Sequence, residues 1–161
     1  MKNVMEYYQK KNYEMQLRVA NNLYNFTISN NYVDSISIYY YKWDKILTAE
    51  SGLRRMEDLE DRELISKIRD GSVQYGWIPV RNIYSEERNI DKYVITVIKP
   101  IPLISIEPEA VVIVNIKDQY IKELIKSIGS VKSGSVFIAN NEGDILSQVS
   151  DTQSYSDLKS H

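Results

Sequence analysis

The chain has 161 residues, 20 of them Lys or Arg and 22 Asp or Glu, with a formal net charge of −2. That is enough for one domain of ordinary size, with no basic excess to hold a phosphate backbone, so nucleic-acid binding is not expected. There is no cysteine, and the single histidine is His161. This removes disulfides, thiolate metal sites and a cysteine nucleophile, and leaves histidine acid–base chemistry only a tail residue.

With 43% hydrophobic and 26% charged residues the composition is that of a folded protein able to bury a core without staples. No run approaches the roughly 18 apolar residues of a membrane span. The opening Met1-Lys2-Asn3-Val4-Met5-Glu6 is too polar for a signal peptide. The expectation is a soluble chain that could be an excised piece of a membrane protein.

Residues 2–28 predict one long helix, since neither Pro nor Gly occurs before Gly52. Met5, Tyr8, Met15, Val19 and Phe26 recur in steps of three and four, with Asn12 and Asn22 filling the gaps. Tyr13, Leu17, Ala20 and Tyr24 form a second stripe beside the first. So broad an apolar surface suits packing on the domain on one side and on a second copy on the other. Packing on its own domain alone is the competing reading.

A β-hairpin follows. Residues 35–41 are rich in β-formers, with Ile36, Ile38 and Tyr40 on one face, and residues 45–49 return after a turn at Lys42-Trp43-Asp44. Gly52 then breaks the chain. Residues 57–69 predict a helix whose Leu59, Leu64, Ile65 and Ile68 share a face, with a solvated acidic run over Glu57–Glu63 and a stop at Asp70-Gly71. Residues 72–91 read as an irregular loop unusually rich in aromatics and guanidiniums.

Two β-branched strands follow over 92–99 and 110–116, separated by prolines and a polar loop; such continuous apolar runs fit the middle of a covered sheet. Asp118 caps a helix over 119–128. Residues 135–139 and 144–147 form a last hairpin around Asn140-Asn141-Glu142-Gly143, and a disordered tail is expected from Gln148. Helices flanking a mostly antiparallel sheet make the fold class α+β.

At this point the pattern resembles a known family. The long helix runs into Val33-Asp34-Ser35-Ile36-Ser37-Ile38-Tyr39, and Trp77 precedes Arg81. The strands Tyr93–Pro102 and Val111–Ile116 are followed by a helix and the Gly134–Leu146 hairpin. Over residues 5 to 147 this is similar to the Cache group of PAS-like extracytoplasmic sensor domains in bacterial sensor kinases, chemoreceptors and membrane-bound transcription regulators.

The resemblance implies a PAS-like antiparallel sheet led by a signalling helix over 1–30. A membrane-distal module would span 31–130, a hairpin over 131–148 would open a membrane-proximal module, and 149–161 would be tail. It implies a receptor ectodomain on the outer face of the bacterial membrane, anchored through flanking segments. A small polar ligand, an organic acid or sugar-like compound, is expected, with no cofactor, no metal and no catalysis. One departure stands out. The amino-acid-binding branch has an arginine two residues before a Trp-Tyr pair and an aspartate on the later strand; here residue 75 is tyrosine, Ile78 follows Trp77, and Asn115 holds the aspartate position.

The ligand site expected from these readings is Tyr75, Trp77, Arg81 and Tyr84, with Arg88 nearby and Asn115 added by the resemblance. Aromatics supply walls and a guanidinium orients an anionic or hydroxyl-rich ligand. The competing reading has Trp77 in the core and the arginines on the surface. Tyr39, Tyr40, Tyr41 and Trp43 read as strand packing in preference to a stacking platform, since alternation splits them between faces. The competing function is a ligand-free structural or dimerisation module.

Overall fold

The computed structural model describes residues 2–55, 61–85, 89–128 and 134–150, with side chains from residue 13 onward. The expectations for Arg88, for residues 57–60 of the acidic helix, for the side chains of Met5, Tyr8 and Asn12, and for the tail beyond Ser150 lie outside these residues.

The fold is α+β: the described residues form three α-helices and a six-stranded antiparallel sheet, with a separate two-stranded sheet. The elements run α1 (Lys2–Ser29), β1 (Val33–Tyr40), a short 3-10 turn (Tyr41–Trp43), β2 (Lys45–Thr48), β3 (Gly52–Arg55), α2 (Arg62–Arg69), β4 (Gly76–Ser85), β5 (Ile90–Ile101), β6 (Ala110–Lys117), α3 (Asp118–Ile128), β7 (Ser135–Ala139) and β8 (Ile145–Ser150). The large sheet has the order β3-β2-β1-β6-β5-β4. The two apolar runs read from the sequence are interior neighbours, β5 and β6, registered with Thr96 opposite Asn115.

Strand alternation sends each face of this sheet to a different helix. Ile38 and Leu47 pack with Ala110 under Ala20 of α1. Tyr39, Ile46, Ile98, Val111 and Ile113, on the other face, pack under Leu64, Ile65 and Ile68 of α2. Burying those three α2 side chains contributes at most about 5–9 kcal/mol, which is what holds so short a helix on the sheet. Its C-terminus closes with Gly71 at φ +74, the left-handed conformation glycine adopts without cost. Ser72 N–H then donates to Lys67 C=O at 2.9 Å.

Three expectations are corrected. Gly52, at φ +67, turns the chain back as β3, which pairs with β2, so the first hairpin is a three-stranded meander. Residues 76–85 of the expected irregular loop are an edge strand, β4, paired along β5. The last strand runs to Ser150, so Gln148 and Val149 pair with Phe137 and Val136 instead of starting a tail.

The two-stranded sheet lies against α3 and β4. Leu146 and Ser147 are buried there, while Val136, Phe137 and Ile145 are exposed. Asp118 is 1% exposed and serves this contact more than a cap. It accepts a hydrogen bond from Ser147 Oγ and an ion pair from Lys122 Nζ at 2.6 Å.

Candidate functional site

Three polar residues interrupt the apolar central strands: Ser35 on β1, Asn115 on β6 and Thr96 on β5. Register sets them side by side on the face that carries α2. Asn115 Nδ2 donates to Ser35 Oγ at 3.0 Å, and Thr96 Oγ1 donates to Asn115 Oδ1 at 2.7 Å. Arg81 of β4 completes the row: its Nε donates to Thr96 Oγ1 at 2.9 Å and its Nη2 to Asn115 Oδ1 at 3.1 Å. The guanidinium then forks onto Asp61, just before α2, at 2.7 and 2.5 Å. Among the described residues, no buried side-chain nitrogen or oxygen lacks a partner. Such a row tolerates burial because every member is satisfied.

A cavity of about 270 Å³ opens at the Asp61 end of α2, over the same face. Its polar floor includes Ser35, Ser37, Thr48 and Asn115, and Ile46, Ile65 and Ile113 supply an apolar wall. Asp34 and Lys92 flank it, with Lys92 Nζ 3.7 Å from Asp34 Oδ2. Glu50 and Ser51, on the β2–β3 turn, and Tyr24, Thr27 and Ile28, at the end of α1, form the rim. The end of α1 reaches this rim because only Asn30, Asn31 and Tyr32 separate it from β1, so α1 ends where β1 begins, at one end of the sheet.

Of the five residues expected to form one site, Arg81 and Asn115 meet and Tyr75, Trp77 and Tyr84 lie elsewhere. Asn115 lines the cavity, and Arg81 stands one hydrogen bond behind it. Trp77 is 46% exposed and opposes Val97, on the other face from Thr96. Tyr84 is also exposed on that face, its hydroxyl donating to Asn89 Oδ1 at 2.6 Å. Tyr75 lies 3.1 Å from the Tyr41 hydroxyl, away from the cavity.

The physical reason is a bulge. Between Ile78 and Arg81 the register slips, so three steps on β4 span two on β5. Residues 77 and 81, which would share a face in a regular strand, therefore point to opposite faces. The expected wall of Trp77 and the inward Arg81 come apart for this reason.

Asp61, read as solvated, is instead a partly buried ion-pair partner with a side chain 20% exposed. Reasoning from sequence also missed Ser35, Ser37, Thr48, Thr96 and Lys92. The available signal was the polar break within each apolar strand.

Elsewhere on this face Tyr39 is pushed up to about 12 by burial, by its hydrogen bond to Asp44 and by that carboxylate's charge. Tyr41 is raised too, by burial first and then by its bond to Tyr75. Among the described residues, no group of three or more His, Cys, Asp or Glu could hold a metal ion, and no helix is long and apolar enough to cross a membrane. No protein-family model matches the chain, and no curated protein matches it at a significant level.

Proposed function

We propose that this chain is the ligand-sensing ectodomain of a bacterial transmembrane signalling receptor, a PAS-like module of the Cache kind. It binds a small polar molecule in the cavity and passes the change out through α1. In this reading it is a non-catalytic module on the outer face of the membrane, anchored by flanking segments. The observation that carries it is the lining: the open-mouthed cavity is lined by the sheet, by the start of α2 and by the end of α1. A ligand there touches three elements at once, and a ligand shifts a conformational equilibrium only through contacts that differ between the two states.

The test is a thermal-shift screen of small polar compounds, organic acids and sugar-like compounds included. A ligand that binds only the native state stabilises it by about 2.7 kcal/mol at one hundred times its Kd. A complete absence of stabilising compounds would favour the competing reading, a ligand-free dimerisation module. One observation favours that second reading: Tyr13, Leu17, Tyr24 and Ile28 leave an exposed apolar flank along α1. Sedimentation equilibrium of the wild type and of Leu17→Glu separates the two. Loss of a dimer without loss of ligand response would leave sensing intact.

A further inference from the structure

We infer that Ser35 is the residue that reads the ligand, and that the ligand presents a carbonyl-type oxygen to it from a compact body with one apolar side. The inference rests on the sensing reading and deepens it. It follows from the direction of the hydrogen bonds in the polar row. A guanidinium can only donate. Arg81 therefore fixes both of its neutral neighbours: Thr96 Oγ1 accepts from Nε, and Asn115 Oδ1 accepts from Nη2. Thr96 still has its own proton to give, and gives it to Asn115 Oδ1 at 2.7 Å. With Oδ1 held on that side, the amide turns Nδ2 toward β1 and donates to Ser35 Oγ at 3.0 Å.

The row thus runs one way, from Arg81 to Ser35, and Ser35 ends it as an acceptor. Every atom in the row has a partner, but not every proton. The Ser35 hydroxyl proton has no acceptor among the described residues, and neither has the second proton of Asn115 Nδ2. The two threonine hydroxyls of the lining differ: Thr27 donates to Leu23 C=O at 2.9 Å and Thr48 to Gly52 C=O at 3.4 Å. Ser35 and Asn115 both line the cavity, Ser35 half-buried and Asn115 buried. A ligand that fills this space either accepts those protons or strands them, and a stranded donor costs affinity. Two protons at one end of the row suit an oxygen with two lone pairs and no proton of its own, which is a carbonyl or carboxylate oxygen. Ile46, Ile65 and Ile113 supply the wall for the apolar side. A cavity of about 270 Å³ holds the volume of about nine waters, the size of one small ring or a short chain.

The experiment titrates the full chain, ¹⁵N-labelled, with three probes on one ring skeleton: cyclopentanone, cyclopentanecarboxylate and cyclopentene. The first two offer a carbonyl oxygen, neutral or anionic, and the third offers none. Carbonyl binding is expected to shift the amides of Ser35, Ser37 and Asn115, and the tighter of the two probes tells a neutral carbonyl ligand from an organic acid. Ser35→Ala is expected to weaken the carbonyl probes by about tenfold and to leave cyclopentene within about twofold. Asn115→Asp keeps the Ser35 hydroxyl but reverses the last bond of the row. Its carboxylate still accepts from Arg81 and Thr96, and now accepts from Ser35 as well. Cyclopentanone is expected to weaken there by about tenfold too.

Cyclopentanone binding unchanged in Ser35→Ala, or lost together with cyclopentene, would overturn the role of Ser35 and leave the cavity as the ligand site. Cyclopentanone binding retained in Asn115→Asp would overturn the direction of the row. No amide shift with any of the three would overturn the carbonyl class, while the wider thermal-shift screen still decides whether the domain senses a ligand.

Discussion

Removing the Arg81 side chain is expected to cost about 2–4 kcal/mol of stability. The guanidinium and the Asp61 carboxylate are each 20% exposed and joined by two bonds. Breaking a fully buried pair costs about 3–5 kcal/mol, chiefly because one charge is left without its partner. Water that reaches a fifth of each side chain lowers that figure. Arg81→Met keeps the aliphatic stem and removes the charge, so it isolates the electrostatic loss. At about 2–4 °C per kcal/mol for a chain of this size, the Tm should fall by roughly 4–16 °C.

The diagnostic comparison is with the double variant Arg81→Met/Asp61→Leu. It strands no charge, so it should be more stable than Arg81→Met alone, although it carries more substitutions. Urea unfolding followed by circular dichroism measures all three proteins. An Arg81→Met variant within about 0.5 kcal/mol of wild type would mean that the pair is effectively a surface contact. A double variant no more stable than the single one would refute the stranded-charge argument.

Three other outcomes are expected. Trp77→Ala should cost about 1–2 kcal/mol, less than the 3–5 of a fully packed tryptophan, and leave ligand titrations unchanged, because the ring is half-exposed on the face away from the cavity. The Tyr39 phenol, raised from its ordinary 10.0 to about 12, holds its proton more tightly folded than unfolded. Its contribution is therefore complete below pH 10 and lost as the pH rises through about 12, so denaturant melts should weaken over that window, and less steeply in Tyr39→Phe. Asp118→Ala should leave Lys122 and Ser147 without this partner and cost about 2–3 kcal/mol, with hydrogen exchange quickening in β7 and β8 before the large sheet.

The parts of the fold legible in the sequence are those where one local pattern dominates. β5 and β6 announced themselves as β-branched runs between prolines and polar turns, and α1 as a long stretch free of Gly and Pro. β4 did not, because Gly76, Pro79 and the bulge beside Pro79 interrupt its alternation and its exposed face is aromatic and polar. The candidate site was half legible. Asn115 stands out in a run of valine and isoleucine, but Asp61 is indistinguishable from its acidic neighbours until a partner 20 residues away and on another element is brought to it. Non-local pairing of this kind leaves no periodic trace, since the bulge that aims Arg81 is a matter of backbone register.

The polar row also bears on how a signal could leave the cavity. An all-apolar floor would pack α2 at least as firmly, because a satisfied ion pair seldom outperforms well-packed hydrocarbon of the same volume. What the row adds is direction. Asp61 lines the cavity and is also the residue through which the start of α2 is tied to Arg81. In the proposed reading, a ligand that donates to Asp61 competes for the same carboxylate oxygens and so loosens or re-aims that tie, while Leu64 and Ile68 keep the helix on the sheet. The cavity that would hold it is also lined by Tyr24, Thr27 and Ile28 at the end of α1. Charge at one end of α2 and contact at the end of α1 can therefore change together, while the apolar core between them stays packed. A movement confined to the two helix ends is the small, discrete rearrangement a close-packed interior permits.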